Sequence, residues 1–223
     1  MTTVDATAGE SGRPVAQEAP AAPVVGPMAG DPSIWGLASF IAGSVALGLA
    51  LVGVVPFGVL GAPLAIILAA TALGLLLSTI WAAAVGQSAV AAVFGIFGTF
   101  WLSYAVLVLG LDHNWFAIPA LAAVDTVRLF LLTWLIIIVL LTVATLRLPS
   151  AFTAVFALVS LALLLLLLAW EQTSPLGVPS SSLLKAGGWV VLVFAAVGVY
   201  LFFSAAQAGT GGKALSLGPP LMK

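Results

Sequence analysis

From residue 33 onward this chain is a succession of uninterrupted apolar runs, each long enough to cross a lipid bilayer. A hydrocarbon core takes about 20 mainly apolar residues per helix. Six runs meet that length, at 33–55, 59–85, 89–111, 121–146, 150–170 and 185–207. The runs do not alternate. A membrane β-barrel would show apolar/polar dyads over about ten residues, and lipid leaves the helix as the other way to satisfy a spanning backbone. Only 6% of the residues are charged and 63% are hydrophobic, whereas globular domains carry roughly 25% charge. So little charge cannot cover a water-facing surface. The expected fold class is all-α integral membrane, a six-transmembrane-helix bundle.

The breaks between runs carry turn chemistry. The first run ends at Pro56-Phe57-Gly58, and the second has Pro63 in its opening turn, where a missing N–H costs nothing. The longest break, EQTSPLGVPSSS at 171–182, is a loop by its Pro, Gly and Ser content. The fourth helix starts at Pro119 or several residues later. Residues 1–30 are rich in Ala and Pro and lack the basic and apolar regions of a signal peptide. They are expected to form a disordered cytoplasmic tail, followed by a membrane domain over 31–208 and a short cytoplasmic tail over 209–223.

Charge placement sets orientation, since Lys and Arg in short loops favour the cytoplasmic side. With the N-terminus inside, Arg13, Arg147, Lys213 and Lys223 lie inside, and Arg128 and Lys185 lie outside with Asp112, Asp125 and Glu171. Both termini are therefore expected in the cytoplasm, with the chain multi-pass in the cell membrane. The six cations are scattered and the net charge is -1, which excludes the clustered basic face that nucleic acid requires.

Enzymatic chemistry finds no foothold. The absence of cysteine removes disulfides, thiolate metal sites and a Cys nucleophile. The single histidine, His113 in Asp112-His113-Asn114-Trp115, cannot form HExxH. A lone loop histidine is more often a solvated surface group than a catalytic base. No phosphate-binding Gly-rich loop precedes a helix. No catalytic residue, metal site or cofactor is expected. Ionisable residues fall at the ends of the runs, where they are cheap; Asp125 and Arg128 at i,i+3 can pair on one helix face. Any passage through the bundle must then be lined by hydroxyls, aromatics and backbone. The candidates are Ser44, Ser78, Thr79, Ser103, Tyr104, Thr133, Ser160 and Tyr200, although such hydroxyls more often bond their own helix. Small residues mark expected helix contacts: Ala38, Ala42, Ala46 and Ala50 in the first helix, Gly95 and Gly98 in the third, Gly187 and Gly188 in the sixth.

Four segments occur in an ordered series: DPSIWGL at 31–37, GIFGTFWLSY at 95–104, TWLIIIVLLTVATLR at 133–147 and KAGGWVVLVFAAVGVY at 185–200. Their order and spacing over 31–208 resemble the acetate uptake transporter family, small six-helix carriers of acetate and succinate. The resemblance implies a hexameric ring of protomers in lipid, each passing a monocarboxylate as anion or neutral acid. The family's Asn-Pro-Ala-Pro-Leu-Gly-Leu stretch is matched at Pro32, Gly36 and Leu37, with departures at Asp31, Ile34 and Trp35. Its hydrophobic constriction maps onto Phe40, Phe97 and Val159, and a family Thr onto Ser44. Polar positions of the family path map onto Gly48, Ala70 and Leu75. The implied substrate-binding set is Pro32, Gly36, Leu37, Ser44, Ser103 and Tyr104.

A carboxylate crossing lipid needs compensation, and helix N-termini supply it where cations do not. Asp31 complicates this, because an N-cap aspartate satisfies the same donors and repels an acid. Either the neutral acid is carried, or Asp31 is protonated during passage, or Asp31 only caps the helix, its commoner role. Two further readings stay open: a facilitator for another small solute, and a non-transporting membrane subunit of a larger complex.

Overall fold

The computed structural model describes residues 29–56, 61–174 and 178–222. Six helices long and apolar enough to cross a membrane make up nearly all of it. Helix α1, Pro32–Val52, starts with Pro32 in its first turn; Asp31 Oδ1 caps it by accepting the Ser33 N–H at 2.8 Å. It stops three residues short of the expected end because Gly53 takes φ 100°, a left-handed cap that lets the Gly53 and Val54 N–H groups turn back onto Ala50 and Leu49. Helix α2 spans Leu64–Ala84 and contains a π-helical segment over Ile67–Ala72. The expected start at Val59 lies outside the described residues, as do residues 1–28 of the N-terminal tail.

Helix α3 is Ser88–Asp112. Helix α4, Ala123–Ala144, is flanked by 3-10 turns at Ala120–Ala122 and Thr145–Arg147, so the fourth span starts just after Pro119. Helix α5 is Ser150–Glu171 and α6 is Ser181–Gly209. The α6 start corrects the expected one: Pro179 ends the loop, and the following serines form the first helical turn instead of closing the break.

Each helix packs beside its neighbour in sequence, and α6 returns against α1. Five of the six seams bring backbones close. The sixth, between α3 and α4, is held by rings: Phe100 lies 5.9 Å from Phe130 and 5.3 Å edge-on from Trp134, and Tyr104 lies 6.2 Å from Phe130. The result is a closed up-and-down ring of helices, with α4 presenting most of its surface outward.

Close approach is carried by glycine. A Cβ on Gly188 of α6 would stand 2.7 Å from Leu51 Cβ and 3.0 Å from the Val52 backbone nitrogen of α1, and one on Gly43 would press on Thr71 of α2. Gly98 of α3 likewise meets Leu75 and Leu76 of α2, and Gly187 meets Leu166 of α5. The alanine stripe of α1 does not do this work as expected. Ala38 is exposed, Ala42 and Ala46 are half-buried, and only Ala50 is buried; the inward face is Gly36, Phe40, Gly43, Ser44, Leu47 and Leu51. In lipid the smallest side chain wins such contacts, since van der Waals packing replaces the hydrophobic drive.

After α6 the chain doubles back. The Tyr200 hydroxyl donates to Ser216 O at 2.7 Å, and Ser204 Oγ accepts the Leu215 N–H at 3.1 Å. Further on, Leu217 O accepts the Ala151 N–H (3.0 Å) and Pro219 O the Ser150 N–H (3.2 Å), at the start of α5. Leu221 and Met222 N–H groups both reach Leu146 O. Thus the expected short tail is, over its described part, a strap seated on the bundle end.

Candidate functional site

Two cavities lie inside the ring at opposite ends. The larger, about 430 Å³, opens where α1, α3 and α5 begin and α6 ends. Its walls are almost wholly apolar, among them Leu37, Val93, Phe94, Phe152 and Leu201, and its floor is Phe40, Phe97 and Phe156. Its polar lining residues are Asp31, Ser33 and Ser204, and the strap adds Ala214 and Leu217. The smaller, about 90 Å³, lies among Leu47, Phe100, Tyr104, Phe130, Leu163 and Trp170. The two share no lining residue.

Between them sits an aromatic layer. Phe40 and Phe97 meet edge to face at 5.0 Å, Phe97 stacks on Phe156 at 5.7 Å, and Phe40 lies 5.7 Å from Phe194. All four rings are at most 4% exposed, and Val159, one turn beyond Phe156, is equally buried. On α1 the gap from the vestibule floor at Phe40 to the next cavity at Leu47 is seven residues, about 10 Å of helix rise. The layer is occluded: rings in van der Waals contact leave no room for water, which is how hydrophobic constrictions close a path.

Of the three residues expected at a constriction, Phe40 and Phe97 meet in this layer, and Val159 is buried one turn along α5 from Phe156. Phe156 and Phe194 complete the layer and were not foreseen. The signal for Phe156 was its position at i−3 from Val159 on the same helix face; nothing local marked Phe194 among the apolar residues of α6.

The substrate-binding candidates scatter. Leu37 lines the vestibule and Tyr104 the smaller cavity. Pro32 and Gly36 are buried, Gly36 beneath the Phe94 ring, and neither lines a cavity. Ser44 donates to Phe40 O at 2.7 Å and Ser103 to Phe100 O at 2.9 Å, so both hydroxyls are spent on their own helices. Thr79 and Thr133 do likewise, while Ser160 pairs with Thr142 across the α4–α5 seam at 3.2 Å. Thr71 and Ser78 on α2 and the Trp101 indole N–H are buried without a hydrogen-bond partner. Thr71 was missed; it lies in the π segment against Gly43, a packing role.

At the other end, Arg128 pairs with Asp125 at 3.0 Å, as the i,i+3 spacing suggested. It also donates to Trp170 O through Nε (3.1 Å) and Nη2 (2.9 Å) and approaches the Glu171 carboxylate at 3.5 Å. A cation so placed caps the C-terminus of α5 and spends most of its donors there. His113 is exposed and sits by Leu109 O at 3.0 Å, at the C-terminus of α3. Among the described residues no His, Asp and Glu group could hold a metal ion.

Comparison with known proteins agrees with this architecture. The chain is 34% identical over 120 residues to the Meiotically up-regulated gene 86 protein of Schizosaccharomyces pombe, covering 51% of this chain and 37% of the relative. It is 33% identical over 129 residues to Acetate permease A of Emericella nidulans, covering 54% and 42%. The matches thus span less than half the length of these curated relatives. Among solved structures, the bacterial acetate channel SatP shares the fold with a TM-score of 0.71 at 19% identity, covering 83% of this chain and 96% of that one. The family model described as GPR1/FUN34/yaaH matches residues 15–212, the tail approach and all six helices included, and this multi-pass membrane chain belongs to the GPR1/FUN34/yaaH family.

Proposed function

We propose that the chain is a membrane transporter or channel that passes small monocarboxylates such as acetate, and succinate in the same way, through each protomer. The observation that carries this is the alignment of a vestibule, an aromatic layer and a second cavity inside one helix ring. A vestibule of about 430 Å³ is within the range of small-molecule sites. The substrate passes Leu37, crosses the layer when Phe40, Phe97, Phe156 and Phe194 part beside Val159, and leaves past Tyr104. Pro32, Gly36, Ser44 and Ser103 hold the helices that carry these side chains. No enzymatic step, cofactor or metal is needed.

The names of the acetate permease and the acetate channel support the substrate class. The protomers assemble as a hexameric ring in lipid, and both termini face the cytoplasm of the cell membrane. The sequence puts Arg13, Arg147, Lys213 and Lys223 on the terminal side of the spans against Arg128 and Lys185 on the other, which supports that orientation. Uptake of labelled acetate into proteoliposomes, with and without a pH gradient, tests the reading; flux at least several-fold above protein-free vesicles is expected, and none would count against it. A second reading, a facilitator for a less polar small solute, is favoured by the nearly apolar vestibule. A panel of solutes in the same vesicles separates the two.

A further inference from the structure

The vestibule has a charge character opposite to that suited to an anion. Of the residues lining it, only Asp31 is charged. Among the described residues Asp31 forms no ion pair, the salt bridges there being those of Arg128. The cations nearest in the fold, Arg147 on the turn before α5 and Lys213 on the strap, are exposed and line no part of the vestibule. No other titratable group faces Asp31 from the lining of α3, α5, α6 or the strap; Trp81 of α2 packs on neighbouring Gly30.

Most of the donors that would receive a carboxylate are also occupied. Three helices begin at this vestibule, and free N–H groups at helix starts are where anions bind. Asp31 Oδ1 takes the Ser33 N–H of α1. On α5, Leu217 O and Pro219 O take the Ala151 and Ser150 N–H groups. Ser204 has its hydroxyl tied to Leu215, which leaves the Ser33 hydroxyl as the polar side-chain group of the lining that makes no hydrogen bond among the described residues. Of the three helix starts, only α3 has neither a side-chain cap nor a strap carbonyl on its first N–H groups; with the Ser33 hydroxyl it can meet a carbonyl oxygen but is no counterion for a full charge.

We infer that this vestibule admits the neutral, protonated form of a small acid, and uncharged isosteres such as its primary amide, and turns away the carboxylate, with Asp31 as the charge-selecting residue. The inference rests on the transport reading above and names the species that reading leaves open. The entering solute loses water against apolar walls, a cost that is small for a neutral acid and large for an anion. A fixed negative charge within about 6 Å adds repulsion that a neutral solute does not feel.

The experiment uses the full chain in proteoliposomes held at a pH well above that of half-protonation of acetic acid, with valinomycin-clamped membrane potentials. Labelled acetate uptake and acetamide permeation are both read relative to protein-free vesicles. The wild type is expected to pass acetamide, and to take up acetate independently of potential and about tenfold less per unit rise in pH, following the neutral fraction. Asp31→Asn and Asp31→Ser keep a capping side chain without charge. Each is expected to make acetate uptake potential-dependent and to raise the acetate-to-acetamide ratio about tenfold. Potential-driven acetate uptake in the wild type, at a ratio the two variants do not change, overturns the inference while leaving transport intact. Movement of neither solute in wild type or variants overturns the transport reading itself.

Discussion

At the scale of single residues, the bundle depends on places where no side chain exists. Gly188 faces Leu51 Cβ and the Val52 backbone, neither of which can swing aside. Gly188→Val is expected to push α6 from α1 and cost about 2–3 kcal/mol, read as a lower unfolding temperature in detergent; an unchanged temperature would show that the two helices are free to separate. The same reasoning explains what sequence could and could not say about this interface. Regular spacing picked the alanines of α1, but spacing alone does not say which stripe points inward. Gly188 and Gly187 were legible because adjacent glycines in a membrane helix have few other uses. Hydroxyls were the least legible class: Ser44 and Ser103 look like ligands in a sequence and turn out to satisfy their own carbonyls.

At the scale of elements, the six spans were readable in number and to within a few residues at most ends, because lipid admits the helix as the spanning form of such apolar runs. The misses have local causes: the left-handed Gly53 cap that ends α1 early, and the serine-rich first turn of α6 after Pro179. The strap was not readable at all. Its seating depends on carbonyls and N–H groups meeting across distant positions, Leu217 with Ala151 and Leu221 with Leu146, and backbone groups leave no mark in a sequence. Ending the chain before Ala214 removes those acceptors at a water-accessible end, where solvent replaces part of each bond. A loss of about 1–3 kcal/mol is expected, with acetate uptake retained because the aromatic layer stays in place. A truncated protein that melts with the full chain would show that the strap contributes nothing to the bundle.

At the scale of the whole molecule, the ring of helices and the aromatic layer belong to one argument. A chain with so few ionisable residues can make a path only from apolar walls, and such a path is closed by rings that exclude water. The resemblance to a known family supplied Phe40 and Phe97, which composition could not have singled out; the partners Phe156 and Phe194 needed the fold. The chain has no cysteine, so a single thiol placed in the layer is uniquely addressable. The most direct measurement is acetate uptake by Phe97→Cys proteoliposomes before and after a small methanethiosulfonate reagent, with labelling confirmed by mass. Uptake is expected to fall by at least about tenfold once the thiol is modified, since the added group plugs the proposed crossing between the cavities. Full labelling with uptake unchanged would contradict a path through the protomer.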